Sequence, residues 1–386
     1  MSSSSNISIS SDEVIDDSSN INVKGKYLRN YSIIKEIGRG SYSIVWLAYN
    51  KISKKFYAIK IQNHKEYYTA LKEVRFVSLL PKIPDVFNNL VEYFIEKDNK
   101  KQYLCSVWNL CKYSLDFYIR KIPQNNNGLS LIVSNNIMKQ LITAVSILHK
   151  KYKVFHGDIK TDNILIKGIN TINNFICSKY LENINNIDHT ESKHIDFIDS
   201  ILNDINIELQ ESIIDTKSND TDLISIQLSD FGSAYSVKDK NMLNFGTRYY
   251  QAPEIILEGP CSYPVDIWAL GCTYYEILSG KILFDPIKDS NYSRDYYHLS
   301  LINDTCGNFP YSFLKTTKKY TDFFKNKRLY NYVPSKINRL DDKLNKLSIP
   351  TDDITRIKLL LVGCLHIQPN KRYNIDDLIK TINIIP

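Results

Sequence analysis

The sequence predicts an α+β fold in two lobes: a small antiparallel β lobe carrying one helix, then a larger, mainly helical lobe broken by an acidic insertion. Three observations predict it. Strand-like runs joined by a glycine-rich turn fill residues 31–61 and recur over 91–108. From Val133 to His149, the apolar residues Ile137, Leu141, Val145 and Leu148 return at the spacing of one helix face. Residues 168–223 then hold eleven acids against three lysines, a net charge of −8 inside an otherwise ordinary globular sequence.

Composition narrows the class. Apolar residues at 43% and charged residues at 24% over 386 positions are those of a water-exposed globular chain. The longest apolar run, near Leu359-Leu360-Leu361-Val362, is far shorter than the roughly 18 residues of a spanning segment. The start, MSSSSNISIS, lacks the basic and apolar regions of a signal peptide. Seven cysteines without a Cys-x-x-Cys pair argue for a reducing compartment and against a disulfide scaffold or zinc site. The expected placement is therefore intracellular, cytoplasmic or nuclear, and in the host cell if the source is a virus. The net charge of +7 is unevenly spread: residues 1–20 carry −4 and residues 168–223 carry −8, which leaves +19 for the remainder. Such a body suits acidic or phosphate-rich partners, or is a solvated lysine-rich surface.

In chain order, residues 1–24 are Ser- and Asp-rich without periodicity and are expected to be a disordered tail. The first lobe is expected over 25–111. Its strand Tyr31–Gly38 runs into Gly38-Arg39-Gly40-Ser41-Tyr42-Ser43-Ile44-Val45-Trp46. Gly38 and Gly40 let backbone amides approach phosphate oxygens, and Ser43 stands in a third glycine's place. A dinucleotide-binding fold wants a helix directly after its glycines; the β-rich run after Val45 argues against one. The next strand, Phe56–Ile61, puts Lys60 fifteen residues beyond Val45, with Ala58 small enough to roof an adenine ring. A lysine at a strand end is ordinarily a surface residue. Here a helix over Thr69–Val77 follows and offers Glu73 as its ion-pair partner. Strands near Val91–Ile95 and Tyr103–Trp108 complete five. Asn109-Leu110-Cys111, with Trp108 behind it, reads as a linker able to hydrogen-bond adenine.

The second lobe is expected over 112–386. At its centre lies His156-Gly157-Asp158-Ile159-Lys160-Thr161-Asp162-Asn163, then Ile164-Leu165-Ile166, where Leu165 would floor the adenine. An acid, a lysine two residues on and an asparagine five residues on suit phosphoryl transfer. Asp158 orients a hydroxyl nucleophile, Lys160 neutralises phosphate charge and Asn163 gives a neutral oxygen to magnesium. Beyond the insertion, the strand Ser225–Leu228 leads to Asp230-Phe231-Gly232. Asp230 is a second magnesium ligand candidate, Phe231 a packing switch and Gly232 a hinge. Thr247 is expected to bridge Asp158 and Lys160 through its hydroxyl. Glu254, in Ala252-Pro253-Glu254, is expected to be a buried carboxylate paired with Arg372. Asp266, opening an amphipathic helix, is expected to accept amides of the catalytic loop.

These elements, in this order, resemble the eukaryotic protein kinases over residues ~30–384. Lys160 in Asp-Ile-Lys-x-x-Asn is similar to the serine/threonine branch. Four features resemble the SR-protein kinases of the CMGC group: residues 38–46 with Ser43 and Trp46, the long insertion before Asp230, Gly157 where an Arg is usual, and Leu283–Pro286 followed by Tyr292–Asp295 and His298. The resemblance implies ATP and Mg2+ as cofactors and a protein substrate, without nucleic acid or membrane as partners. It implies an ATP site of Ile37, Gly38, Arg39, Gly40, Ser41, Tyr42, Ser43, Val45, Ala58, Lys60, Glu73, Asn109, Cys111 and Leu165. Asp158, Lys160 and Asn163 would be catalytic, and Asn163 and Asp230 metal-binding. A pseudokinase scaffold is the alternative. Three departures matter. Gln251 replaces a usual Arg. The lysine-rich stretch Phe313–Tyr330 argues against a docking groove for arginine-rich substrates. Gly157 removes the arginine that elsewhere reads an activation-segment phosphate, so the enzyme is expected to be competent without that modification.

Overall fold

The computed structural model describes residues 23, 27–40, 42–82, 85–98, 101–121, 125, 127–167, 224–239, 242, 245–287, 292–335 and 339–385. Ser41, nearly all of the expected tail and the expected insertion at 168–223 lie outside the described residues. Two compact units emerge, one built on residues up to 79 with 89–110, the other on 80–88, 111–167 and 224–385.

The first unit contains β1 (Tyr27–Leu28), β2 (Tyr31–Arg39), β3 (Ser43–Asn50), β4 (Lys55–Gln62), α1 (Tyr67–Val77), β5 (Leu90–Asp98) and β6 (Lys101–Asn109). They form an antiparallel sheet in the order β1-β2-β3-β4-β6-β5. The five expected strands are present. A sixth, the two-residue β1, extends the edge by pairing Tyr27 with Ser32 and Leu28 with Tyr31, too short to show in sequence periodicity. One apolar cluster gathers Ile33, Trp46, Ile59, Phe94 and Val107, and Val23, within the span expected as tail, is buried in it. A second joins Ala70 and Val74 of α1 to Leu104 of β6. Between β3 and β4 the side chain of Asn50 accepts the amides of Ile52 and Ser53, each at 2.9 Å, which sets the turn.

The second unit contains β7 (Tyr113–Ser114), α2 (Leu115–Lys121), α3 (Leu131–Ile147), β8 (Val154–Phe155), β9 (Ile164–Ile166), β10 (Ile226–Leu228), β11 (Tyr235–Ser236), α4 (Pro253–Ile256), α5 (Pro264–Ser279) and α6 (Arg294–Cys306). It continues through α7 (Tyr311–Leu314), α8 (Tyr320–Phe323), the hairpin β12 (Phe324–Lys325) and β13 (Arg328–Leu329), α9 (Leu340–Leu344), α10 (Thr351–Cys364) and α11 (Ile375–Ile382). Ser130 caps α3, and Ile137, Met138, Leu141 and Val145 along it are fully buried. Residues Leu131–Tyr152 are long and apolar enough to cross a bilayer, though they contain no long uninterrupted apolar run, and half of their most apolar window is buried inside the protein. That burial is the position of a core helix.

Helix α5 is a correction. It was expected to be amphipathic, but every residue from Val265 to Ser279 is buried, including Asp266 and Glu276. A helix buried all round is a spine, not a surface element. Pro264 opens it and Gly280, at φ +68°, closes it by donating to the Glu276 carbonyl at 2.8 Å. At its start, where Arg372 donates to the Pro264 carbonyl at 2.6 Å, Glu254 and Arg372 form the expected buried pair at 2.7 and 3.0 Å. β9 and β10 pair antiparallel, and the Lys167 amide donates to the Ser225 carbonyl at 2.9 Å. The residues flanking 168–223 are therefore adjacent.

Candidate active site

In the first unit, the glycines of the β2–β3 turn are not demanded by the fold. Neither Gly38 nor Gly40 has a positive φ, and a Cβ added to either meets no atom closer than 3.7 Å. The Gly40 amide donates to the Ser43 carbonyl at 2.9 Å, which fixes the turn. Ile37, Arg39, Gly40 and Tyr42 are exposed and Gly38, Ser43 and Val45 half-buried; Arg39 pairs with Glu36 at 2.7 Å. On β4, Lys60 lies opposite Val45 and reaches Glu73 of α1 at 3.0 and 3.2 Å. The Glu73 side chain is only 3% exposed, so this ion pair is shielded from screening. Ala58 lies opposite Trp108, whose indole donates to Ser106 at 2.9 Å, and Asn109 ends β6.

In the second unit the loop 156–163 is held from below. Asp266, 0% exposed on α5, accepts the amides of His156 at 2.8 Å and Gly157 at 2.9 Å, as expected, and also meets His149 at 2.8 Å. His156 Nδ1 accepts the Asp158 amide at 3.2 Å, so its proton sits on Nε2, 3.1 Å from the Ser229 carbonyl. This buried imidazole therefore couples the loop to the strand end that precedes Asp230.

The side chains above that floor converge. The Asp158 carboxylate accepts from the Thr247 amide at 2.6 Å and from Asn163 Nδ2 at 3.1 Å, with Lys160 Nζ at 3.3 Å. Lys160 also donates to the Thr247 hydroxyl at 2.6 Å. This corrects the expected bridge: the hydroxyl serves Lys160 alone, and the backbone amide serves Asp158. Asn163 commits its amide N–H edge to Asp158, donating also to that residue's carbonyl at 2.8 Å. The edge left to a ligand is the oxygen. Leu165 is half-buried on β9 beside Gln227. Cys111 donates its thiol to Gln227 at 3.6 Å, and burial pushes that thiol up to about 12.

Asp230 takes φ +62°, a left-handed conformation, while Gly232, expected as the hinge, does not. Ser229 ties this turn to the loop: its amide and its hydroxyl each donate to the Asn163 carbonyl at 2.9 Å. Phe231 is buried and packs on Phe87 and on His156, with ring centroids 5.9 and 5.0 Å apart. Among the described residues, no group of three or more His, Cys, Asp or Glu could hold a metal. Magnesium commonly takes one or two protein oxygens together with substrate phosphates and water. Asn163 and Asp230 fit that habit.

Several contributors escape sequence reasoning. Gln251, 6% exposed, donates to the Phe245 carbonyl at 3.0 Å and the Gly246 carbonyl at 3.3 Å, tying down the stretch before Thr247. Arg120 of α2 binds both Asp116 and Glu276, and Tyr250 donates to Glu276. Burial pushes the Glu276 carboxyl up to about 7, against the opposing pull of Tyr250 and Arg120. These groups come from distant parts of the chain, and only the unusual Gln251 gave a signal, as a departure from pattern.

The protein kinase domain family matches residues 31–382. A serine/threonine-protein kinase of Acanthamoeba polyphaga mimivirus is 27% identical, across 93% of this chain and 87% of that protein. The serine/threonine-protein kinase SRPK of Physarum polycephalum is 25% identical across 90% and 84%. Protein kinase dsk1 of Schizosaccharomyces pombe is 22% identical across 90% and 79%.

Proposed function

This chain belongs to the protein kinase family, and from that premise we propose that Asp158, Lys160 and Asn163 carry ATP-dependent phosphoryl transfer to Ser or Thr hydroxyls of proteins. The observation that carries the reading is the convergence of Asp158, Lys160, Asn163 and Thr247 within hydrogen-bond distance. Asp158 orients the acceptor hydroxyl and takes its proton as that oxygen bonds to the γ-phosphorus and the bond to the ADP oxygen breaks. Lys160, held beside Asp158, stabilises charge on the transferring group. Lys60, oriented by Glu73, positions the α/β-phosphates under the open glycine turn. Asn163 Oδ1 and the Asp230 carboxylate would hold Mg2+, which when bound neutralises phosphate charge.

The same reading includes competence without activation-segment phosphorylation. Gly157 offers no side chain to bind a phosphate, and its φ of +78° with the Ser233 carbonyl 2.5 Å from an added Cβ leaves no room for one. Unmodified groups already hold the segment: Thr247 on Asp158 and Lys160, and Gln251 on Phe245 and Gly246. Incubation of the purified protein with labelled ATP, magnesium and basic or acidic acceptor proteins tests the chemistry. Native protein labels an acceptor, and Asp158→Asn lowers the rate at least about a hundredfold. Equal rates would refute the role of Asp158, and no transfer by either would favour a nucleotide-binding scaffold.

A further inference from the structure

The second unit carries an exposed cationic stretch over residues 315–328. Lys315, Lys318, Lys325, Lys327 and Arg328 are all exposed, and among the described residues none makes an ion pair. The neighbouring Lys319 is the exception, bound to Glu258 at 2.7 Å. The scaffold beneath is solid: Phe313, Leu314, Phe323, Phe324 and Leu329 are buried, so the cations stand on a packed base. The stretch is also fastened directly behind α4, since the amides of Lys318 and Lys319 donate to the Glu258 and Leu257 carbonyls at 3.4 and 3.1 Å.

The turn joining β12 and β13 places Asn326 at φ +52° and Lys327 at φ +64°. Hairpin turns of this kind favour glycine at the second position, and a side chain there costs about 1 kcal/mol. The chain keeps a lysine, whose ammonium caps the Tyr311 ring at 4.9 Å. The stretch also carries one acid, the exposed Asp322, which five exposed cations outnumber.

We infer that this face is a docking surface for acidic protein segments, by which substrates are recruited at a distance from their phosphoacceptor. The inference rests on the protein kinase reading for its role in recruitment, but not for the binding itself. A protein partner fits better than nucleic acid. Four of the five cations are lysines, which act as point charges without the bidentate geometry of arginine.

The test uses the full chain and a fluorescent Glu/Asp-rich peptide lacking Ser, Thr and Tyr, read by anisotropy. Native protein binds it, with affinity falling as salt rises, and Lys325→Glu/Lys327→Glu/Arg328→Glu weakens binding about tenfold or more, the scale of three exposed ion pairs acting together. Lys315→Gln/Lys318→Gln, which removes charge without touching the hairpin, weakens it by a smaller factor. In kinetics, fusing the acidic segment to an acceptor peptide lowers KM, and the triple variant loses that gain while keeping its kcat on the acceptor alone. Equal binding by native and charge-reversed proteins overturns the inference. So does tighter, competing binding of a single- or double-stranded oligonucleotide. Peptide binding that responds to charge reversal, without transfer to any acceptor, would leave the docking surface standing and sink the kinase reading instead.

Discussion

Replacing Gly157 by alanine should damage this protein far more than the gain of one methyl group suggests. Gly157 sits at φ +78°, where an L side chain costs roughly 1–2 kcal/mol. Its new Cβ would lie 2.5 Å from the Ser233 carbonyl oxygen and 3.2 Å from the Phe245 ring. The oxygen belongs to backbone and cannot rotate aside, so the loop and the segment must separate. Separation stretches the 2.6 Å Thr247–Asp158 hydrogen bond, a charge-assisted contact of about 1.5–3 kcal/mol. Together these give a loss of about 3 kcal/mol or more. Gly38→Ala is the control: its φ is not positive and its nearest contact is an ordinary 3.7 Å, so stability should hold or rise by up to about 1 kcal/mol. Urea unfolding of the two variants beside the native protein measures both. If Gly157→Ala unfolds at the same midpoint as Gly38→Ala, the reasoning about this glycine pair is wrong.

Two further outcomes follow from buried charge. Arg372→Leu strands the Glu254 carboxylate, 0% exposed, and should cost about 3–5 kcal/mol in denaturant unfolding, while Glu254→Leu/Arg372→Leu recovers part of that loss. Glu276 titrates near 7 in the folded protein against a usual 4.5; a raised acid favours folding below pH 4.5 and loses that contribution as pH rises through 7. Glu276→Gln should therefore flatten the pH dependence of stability between 4.5 and 7, and an unchanged profile would contradict the assignment.

What the sequence revealed, and what it hid, divides along physical lines. Asp158, Lys160 and Asn163 lie within six residues, so their chemistry shows in local spacing, and Lys60 with Glu73 shows in the order of strand and helix. Glu254 and Arg372 were legible because a carboxylate that must be buried demands a partner. Harder to see was which atom of Thr247 serves Asp158, because a backbone amide leaves no trace in residue identity. Gln251, Ser229 and Arg120 act on Gly246, Asn163 and Glu276, which lie 5, 66 and 156 positions away, and no periodicity marks these contacts. Helix α5 was expected to be amphipathic, yet its acids Asp266 and Glu276 are both buried and satisfied by partners from other elements.

The central claim is that transfer depends on the Asp158 cluster and not on a phosphate in the activation segment. The most direct measurement is the steady-state rate of phosphatase-treated protein carrying Ser233→Ala and Ser236→Ala, with magnesium-ATP binding measured in parallel. The account predicts a rate within about threefold of native, since neither hydroxyl touches Asp158, Lys160 or Asn163 and a threefold change is only about 0.65 kcal/mol. Loss of transfer with nucleotide binding intact would contradict it.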